Sequence, residues 1–287
     1  MSFRTSECRA GTWLLRAVCL VLIGLSSERA ARAGAWENPP AHGQLIMTTS
    51  MFNAWDEYGA NGTRSPFGYN GRFKQIQVGD YIEIGLPKQF TLVANIPISY
   101  LRYTDQYNNL QNGKPGDVEI GLRRRLSPKA SKWAFSGQFT VTAPLYGPMD
   151  SPAPGNHQED LEGRLLLGRG SAWGERRLFW DGEAAYRGRT GAPADQLRGD
   201  LTGGLGLTRR ITILGQFFSI KGLRNGEPVA QITNPNAQSD FDLYKAQGSL
   251  LIGIVHKARI QAGWGHTLMG RNTGRGGTYI VGLWQSF

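Results

Sequence analysis

Phe90-Thr-Leu-Val-Ala-Asn-Ile-Pro-Ile-Ser-Tyr100 is the stretch on which the fold turns. Successive side chains of a strand point to opposite faces, so Phe90, Leu92, Ala94, Ile96, Ile98 and Tyr100 share one side. At roughly 3.3 Å per residue and a tilt near 40°, Phe90 and Tyr100 stand about 25 Å apart along a membrane normal. That is the height of the apolar band between the aromatic girdles of a transmembrane barrel.

The same period recurs outward from this stretch. Trp133, Phe135, Phe139 and Val141 alternate with Ser136, Gln138, Thr140 and Thr142, and Asp117-Val-Glu-Ile-Gly-Leu-Arg123 sets charges against Val118, Ile120 and Leu122. Alternating segments fall near 44–52, 72–86, 90–103, 116–126, 133–144, 160–169, 178–189, 197–207, 211–221, 241–254, 258–269 and 277–287. Trp133, Trp180, Tyr186 and Tyr244 suit girdle positions near strand ends.

The connections carry as much information as the strands. Short links at Pro87–Gln89, Ser127–Lys132, Gly170–Arg177, Thr208–Arg210 and Val255–Lys257 alternate with longer polar ones. The longer links are Asn53–Asn70, Thr104–Pro115, Leu145–Glu159, Thr190–Gln196, Gly222–Asp240 and, shorter but in phase, Gly270–Gly276. A meander crossing a membrane has this rhythm, with tight periplasmic turns and longer outer loops. A soluble sandwich would have shorter strands and no such alternation. The expectation is an all-β chain: a single up-and-down antiparallel transmembrane barrel of about twelve strands.

Composition is consistent with this. The 287 residues include 39 Gly, and the mean hydropathy is −0.34, low because each barrel strand is apolar on one face alone. At the N-terminus Arg4, Arg9 and Arg16 precede the apolar run Ala17–Leu25, and Ala31-Arg-Ala33 offers a small-residue cleavage point. These are the parts of a secretory signal peptide, and the run is too short for the roughly twenty residues of a transmembrane helix. Residues 1–33 are therefore expected to be a signal peptide and 34–287 the barrel, exported to the outer membrane of a Gram-negative bacterium.

Both cysteines, Cys8 and Cys19, fall in the leader, which removes disulfide, thiol and Cys-metal chemistry from the mature chain. Loss of the leader also lowers the formal charge from +10 to about +7. A basic exported chain is expected to meet outer-membrane lipid and lipopolysaccharide, with no nucleic-acid partner.

The start Gly34-Ala-Trp-Glu-Asn-Pro-Pro40 with Gly43-Gln-Leu-Ile46, and the hairpin Tyr81-Ile-Glu-Ile-Gly-Leu86 followed by Phe90-Thr-Leu92, resemble a group of poorly characterised proteobacterial outer-membrane barrels. That group is similar to porin-like barrels associated with aromatic-degradation pathways or exopolysaccharide production. The resemblance implies a barrel and a porin-like role. Where the group has Glu-Tyr-Gly this chain reads Glu83-Ile84-Gly85, and no functional residue is carried over.

If the apolar faces meet lipid, the opposite faces line the lumen. Lumen candidates are Glu83, Asp117, Glu119, Arg123, Glu162, Arg164, Asp181, Glu183, Arg187, Arg198, Asp200, Lys245 and Arg259, joined by Gln75 and Gln77. Two readings stay open: opposed charges select small solutes in a pore, or they pair and fill the interior. The corresponding functions are a porin-like channel for an unidentified small molecule, or a non-conducting envelope barrel that assists exopolysaccharide production or export.

A lipid-modifying enzyme is a third reading, through His266 on the lipid face. No His-x-Ser-Asn-Gly-like stretch accompanies it, so no catalytic residue, metal or cofactor is assigned. Asp56-Glu57, Asp240 and Asp242 lack a calcium-loop pattern, and Lys221, Arg224, Arg271 and Arg275 are loop cations that could meet lipopolysaccharide phosphates. Finally, Tyr279, Val281, Leu283 and Phe287 alternate up to a terminal aromatic, as in the ending that the outer-membrane insertion machinery reads. Gln285 interrupts the apolar pattern there.

Overall fold

The computed structural model describes residues 34–227, 233–255 and 257–287, so the expected signal peptide lies outside the described residues. The chain forms β1 (Gly43–Tyr58), β2 (Arg64–Pro66), β3 (Arg72–Gly85), β4 (Phe90–Thr104), β5 (Asn109–Pro115), β6 (Asp117–Arg125) and β7 (Trp133–Pro144). It continues with β8 (Asp160–Trp173), β9 (Arg176–Arg189), β10 (Gln196–Gly206), β11 (Ile211–Gly222), β12 (Asp242–Val255), β13 (Ala258–Arg271) and β14 (Thr273–Ser286). β2 is a short arm on β1, and β5 with β6 make one stave broken at Gly116. The wall is thus twelve antiparallel staves in sequence order, and β14 pairs β1 to close it.

Closure follows from what lipid demands. Hydrocarbon offers no partner to a backbone N–H or C=O, so a spanning sheet cannot leave an edge. The seam runs from Gln44↔Ser286 to Tyr58↔Thr273, and Gly43 and Phe287 exchange backbone bonds of 3.2 and 3.1 Å at its end. The Phe287 ring lies against Gly43, where a Cβ would come within 2.5 Å of Cζ.

The two faces divide as the alternation predicts. Ile96, Ile98, Tyr100, Trp133, Phe135, Phe139, Val141, Tyr279 and Val281 are exposed outward, whereas Ser99, Ser136, Thr140 and Thr142 are buried inward. Aromatic pairs sit on the outer face, with Trp133 edge-on to Trp180 at 5.6 Å and Phe217 stacked on Tyr244 at 6.5 Å. Arg169 lies 4.8 Å over Trp133 and Arg124 5.2 Å over Phe90, cationic heads that suit a headgroup layer.

Several expected loops are strand instead. Asn53–Tyr58 continue β1 and bond to β2, Asn109–Pro115 form β5, and the link after β13 shrinks to Asn272 at φ 48°. β8 likewise runs on to Trp173, leaving Gly174 and Glu175 as its turn. Beyond the lipid both faces meet water, so hydrophobic alternation fades while the backbone ladder goes on. The Pro inside the opening stretch also finds its reason: Pro97 takes the Gly116 N–H at 2.8 Å at the break between β5 and β6. Asp80, register partner of Met47 and Ile96, turns outward beside this break.

Removing Phe287 deletes the last backbone pair and the ring over Gly43. The expected outcome is a larger fraction that no longer migrates as a compact heat-sensitive band on SDS gels, while surviving barrels keep the full-length chain's unfolding midpoint. Unchanged folding yield would contradict this role of the seam.

Candidate functional site

Period-two geometry aims the inward residues of β3, β6, β8, β9 and β10 into one lumen, and their register sets the pairing. Glu162 on β8, 2% exposed, is the hub. It accepts Arg164 at 2.8 Å, Arg187 at 2.8 Å and Arg198 at 3.1 Å. Arg164 also meets Glu183, and Asp200 at 2.9 Å. Arg187 reaches Glu119 at 2.5 Å and Asp160 at 3.5 Å. One wall is therefore a lattice in which Arg164 and Arg187 each face carboxylates from more than one strand and Arg198 faces Glu162, and the fork geometry of arginine serves two acids at once.

A second cluster sits on β3 and β6. Arg123 forms an ion pair with Glu83 at 2.6 Å, the Tyr81 hydroxyl donates to Glu83 at 2.6 Å, and Asn38 donates to the same carboxylate at 3.0 Å. The opposite wall, from β11 to β14 and β1, carries amides and hydroxyls: Gln216, Gln247, Gln261, Thr278, Thr48 and Ser50. Between the walls lies a cavity of about 480 Å³.

The structure brings Glu83, Glu119, Arg123, Glu162, Arg164, Glu183, Arg187, Arg198 and Asp200 into these ion pairs. Asp117 faces inward apart from them, beside Gly155 and the Tyr146 hydroxyl. Burial and the Asp117 charge hold the Tyr146 hydroxyl well above its ordinary value. Arg259 shares the inward face of β13 with Gln261. Asp181 and Lys245 line the cavity, and neither side chain has an ion-pair or hydrogen-bond partner among the described residues. Gln75 and Gln77 bond each other at 2.9 Å.

Both ends of the lumen are narrowed. At the β1–β3–β4 corner Phe73, Leu101, Tyr103, Phe67 and Ala54 form a buried cluster. Asn234 is buried and donates to the Ala153 carbonyl at 2.6 Å, and Asn236 reaches Gln75 at 3.5 Å, so described parts of two outer connections meet over that mouth. At the other end residues 34–42 cross the opening. Trp36 packs into Ala134, Leu166 and Phe179, Ser136 Oγ donates to the Ala35 carbonyl at 2.6 Å, and Glu37 pairs with Arg125 at 3.0 Å.

Sequence reasoning missed Asp160 and Arg189, 3.6 Å apart at the lattice edge, although each stands two residues from a candidate. It also missed Trp36 as an interior plug. Its loop readings change too: Asp240 and Asp242 hold Arg271, and Asp56 holds Arg64 and Arg275, so these acids and cations satisfy one another. Asp195 accepts the Arg189 N–H, the Tyr186 hydroxyl and Asn225, which together lower its carboxyl below the usual range. His266 faces outward, stacked on Trp264 at 5.7 Å, and its Nδ1 has no hydrogen-bond partner.

Among solved structures, the chain is similar to an outer-membrane channel from Pseudomonas putida F1. The TM-score is 0.66 at 12% identity, covering 90% of this chain and 100% of that one. It is also similar to the translocator domain of the autotransporter NalP from Neisseria meningitidis, with TM-score 0.48, 12% identity and 96% and 95% coverage. At these identities the likeness is one of fold, and the second carries no more than that. No family model and no curated protein matches the sequence.

Glu162→Ala should lower the unfolding free energy in lipid vesicles by about 3 kcal/mol, because it strips Arg198 of its carboxylate and weakens Arg164 and Arg187. Arg64→Ala, at a half-exposed pair, should cost about 0–1 kcal/mol. Urea titration followed by tryptophan fluorescence measures both, and equal effects would contradict the hub.

Proposed function

We propose that this chain is an outer-membrane channel of a Gram-negative bacterium that passes small hydrophilic anions, with Lys245 as the selecting charge. The observation that carries the reading is the polar cavity inside the closed barrel, with a lysine ammonium that the neighbouring carboxylates leave free. The arginines opposite are already neutralised by acids, so they contribute dipoles and hydrogen bonds but little net field. A lone cation in a narrow, low-dielectric passage acts on a solute far more strongly than it would in bulk water. The amide and hydroxyl wall replaces part of the hydration shell.

Lipid and lipopolysaccharide are the proposed surroundings. Arg72, Lys74 and Arg102 stand exposed and adjacent at the outer ends of β3 and β4, where phosphate would meet them, together with Lys221 and Arg224; Arg271 and Arg275 are instead paired with acids. Phe287 with Tyr279, Val281 and Leu283 is proposed as the stretch that the insertion machinery reads.

Refolded mature protein in a planar bilayer should give discrete current steps and a reversal potential in a salt gradient that favours anions. Lys245→Met should reduce the anion preference roughly fivefold, since a unit charge about 4 Å from an ion is worth about 1 kcal/mol even in water. Silence over a wide voltage range would sink the channel reading and favour a non-conducting envelope barrel.

A further inference from the structure

The lattice that pairs Glu119, Glu162, Glu183 and Asp200 passes over a carboxylate among them. Asp181 points inward from β9 and is 6% exposed, yet its carboxylate has neither an ion pair nor a hydrogen bond among the described residues. An ionised carboxylate left so is costly in a desolvated interior, and it stays ionised there only beside a counter-charge.

What touches it is Gly34. A Cβ on Gly34 would lie 2.6 Å from one Asp181 oxygen and 3.3 Å from the other, so the glycine backbone itself is packed against the carboxylate. Gly34 has φ +97°, a conformation that side chains rarely adopt, so both backbone and space call for glycine here. The next residues are firmly held. Ala35 is fully buried, its carbonyl taken by Ser136, and the Trp36 ring covers Gly168, where a Cβ would come 2.8 Å from it. Residue 34 is thereby fixed inside the lumen.

In the unprocessed chain the Gly34 nitrogen is an uncharged amide. Hydrolysis at the cleavage point after Ala33 adds water across that peptide bond, leaving a carboxylate on Ala33 and a primary ammonium on Gly34. We propose that the Gly34 α-ammonium created by leader cleavage is the counter-ion of Asp181, and that this pair locks residues 34–42 across the periplasmic mouth of the barrel. Processing then completes the interior: the unprocessed chain buries a lone carboxylate, and the cleaved chain supplies the missing cation from its own terminus. The plug is a product of maturation, and the pair does not depend on whether the barrel conducts.

Zero-length carbodiimide coupling tests this, because it joins an amine to a carboxylate only when the two are in contact. Mature protein extracted from outer membranes, treated and digested, should yield a peptide linking the Gly34 α-amine to Asp181 with loss of one water. The link should vanish in Asp181→Asn. In a chain refolded with Ala33 retained ahead of Gly34, where the ammonium is displaced by one residue, it should fall at least tenfold. Barrel formation in each is checked by heat-dependent gel migration, so the Ala33-retaining chain keeps the test decisive if Asp181→Asn does not fold. A mature terminus other than Gly34, coupling to Glu183 or Asp200 instead, or equal coupling with Ala33 retained would each overturn the proposal. Bilayer silence would remove the channel reading and leave this one standing.

Discussion

A wall that faces hydrocarbon must satisfy every backbone N–H and C=O within itself, and here the register between β1 and β14 achieves this. Everything inside depends on that closure. Because side chains alternate strictly along each stave, fixing the lipid face fixes the lumen face, and a slip of one residue would turn the arginines of β8 and β9 into the bilayer. The seam is therefore also what assembles Glu162, Arg164 and Arg187 into one lattice, although none of the three lies on a seam strand. The terminal ring over Gly43 ends the seam where the N-terminal segment turns into the mouth.

Charges enclosed in this way have two routes to stability: hydration or pairing. On the β3–β10 side the chain chose pairing, and arginine suits it because a planar fork can hold carboxylates on two strands at once. On the β11–β14 side the interior is amide and hydroxyl, groups that tolerate either water or a passing solute. The pairing that one reading expected is found on the first wall, and the proposed passage would run along the second. A fully paired interior would be inert filling; a fully hydrated one would carry a strong field along its whole length.

The barrel was legible in the sequence because lipid imposes period two on Phe90–Tyr100 and Trp133–Ala143, and the loop rhythm set the direction of each crossing. The lumen set was legible by parity, and parity carried one step further would have included Asp160 and Arg189. Which of these residues pair was hidden, because Glu119 and Arg187 meet across 68 positions through strand register that no local pattern encodes. Rim strands such as β5 were hidden for the opposite reason: outside the bilayer nothing enforces alternation. Trp36 read as the start of a barrel chain, since a short polar segment gives no sign that it will fold back into the lumen.

Asp181 and Lys245, both without an ion pair among the described residues, then take on meaning together. Asp181 and Lys245 line one cavity, yet lie on β9 and β12 and do not meet. Had they been in contact they would have cancelled each other. The N-terminal segment keeps them in separate roles: Gly34 occupies the space beside Asp181, while Lys245 remains turned to the cavity. The proposed terminal ammonium at Gly34 would neutralise an acid that otherwise competes with a solute anion for the lysine. If the proposed pair forms, the plug would do more than narrow the mouth, because it would also set the sign of the charge that a solute meets inside.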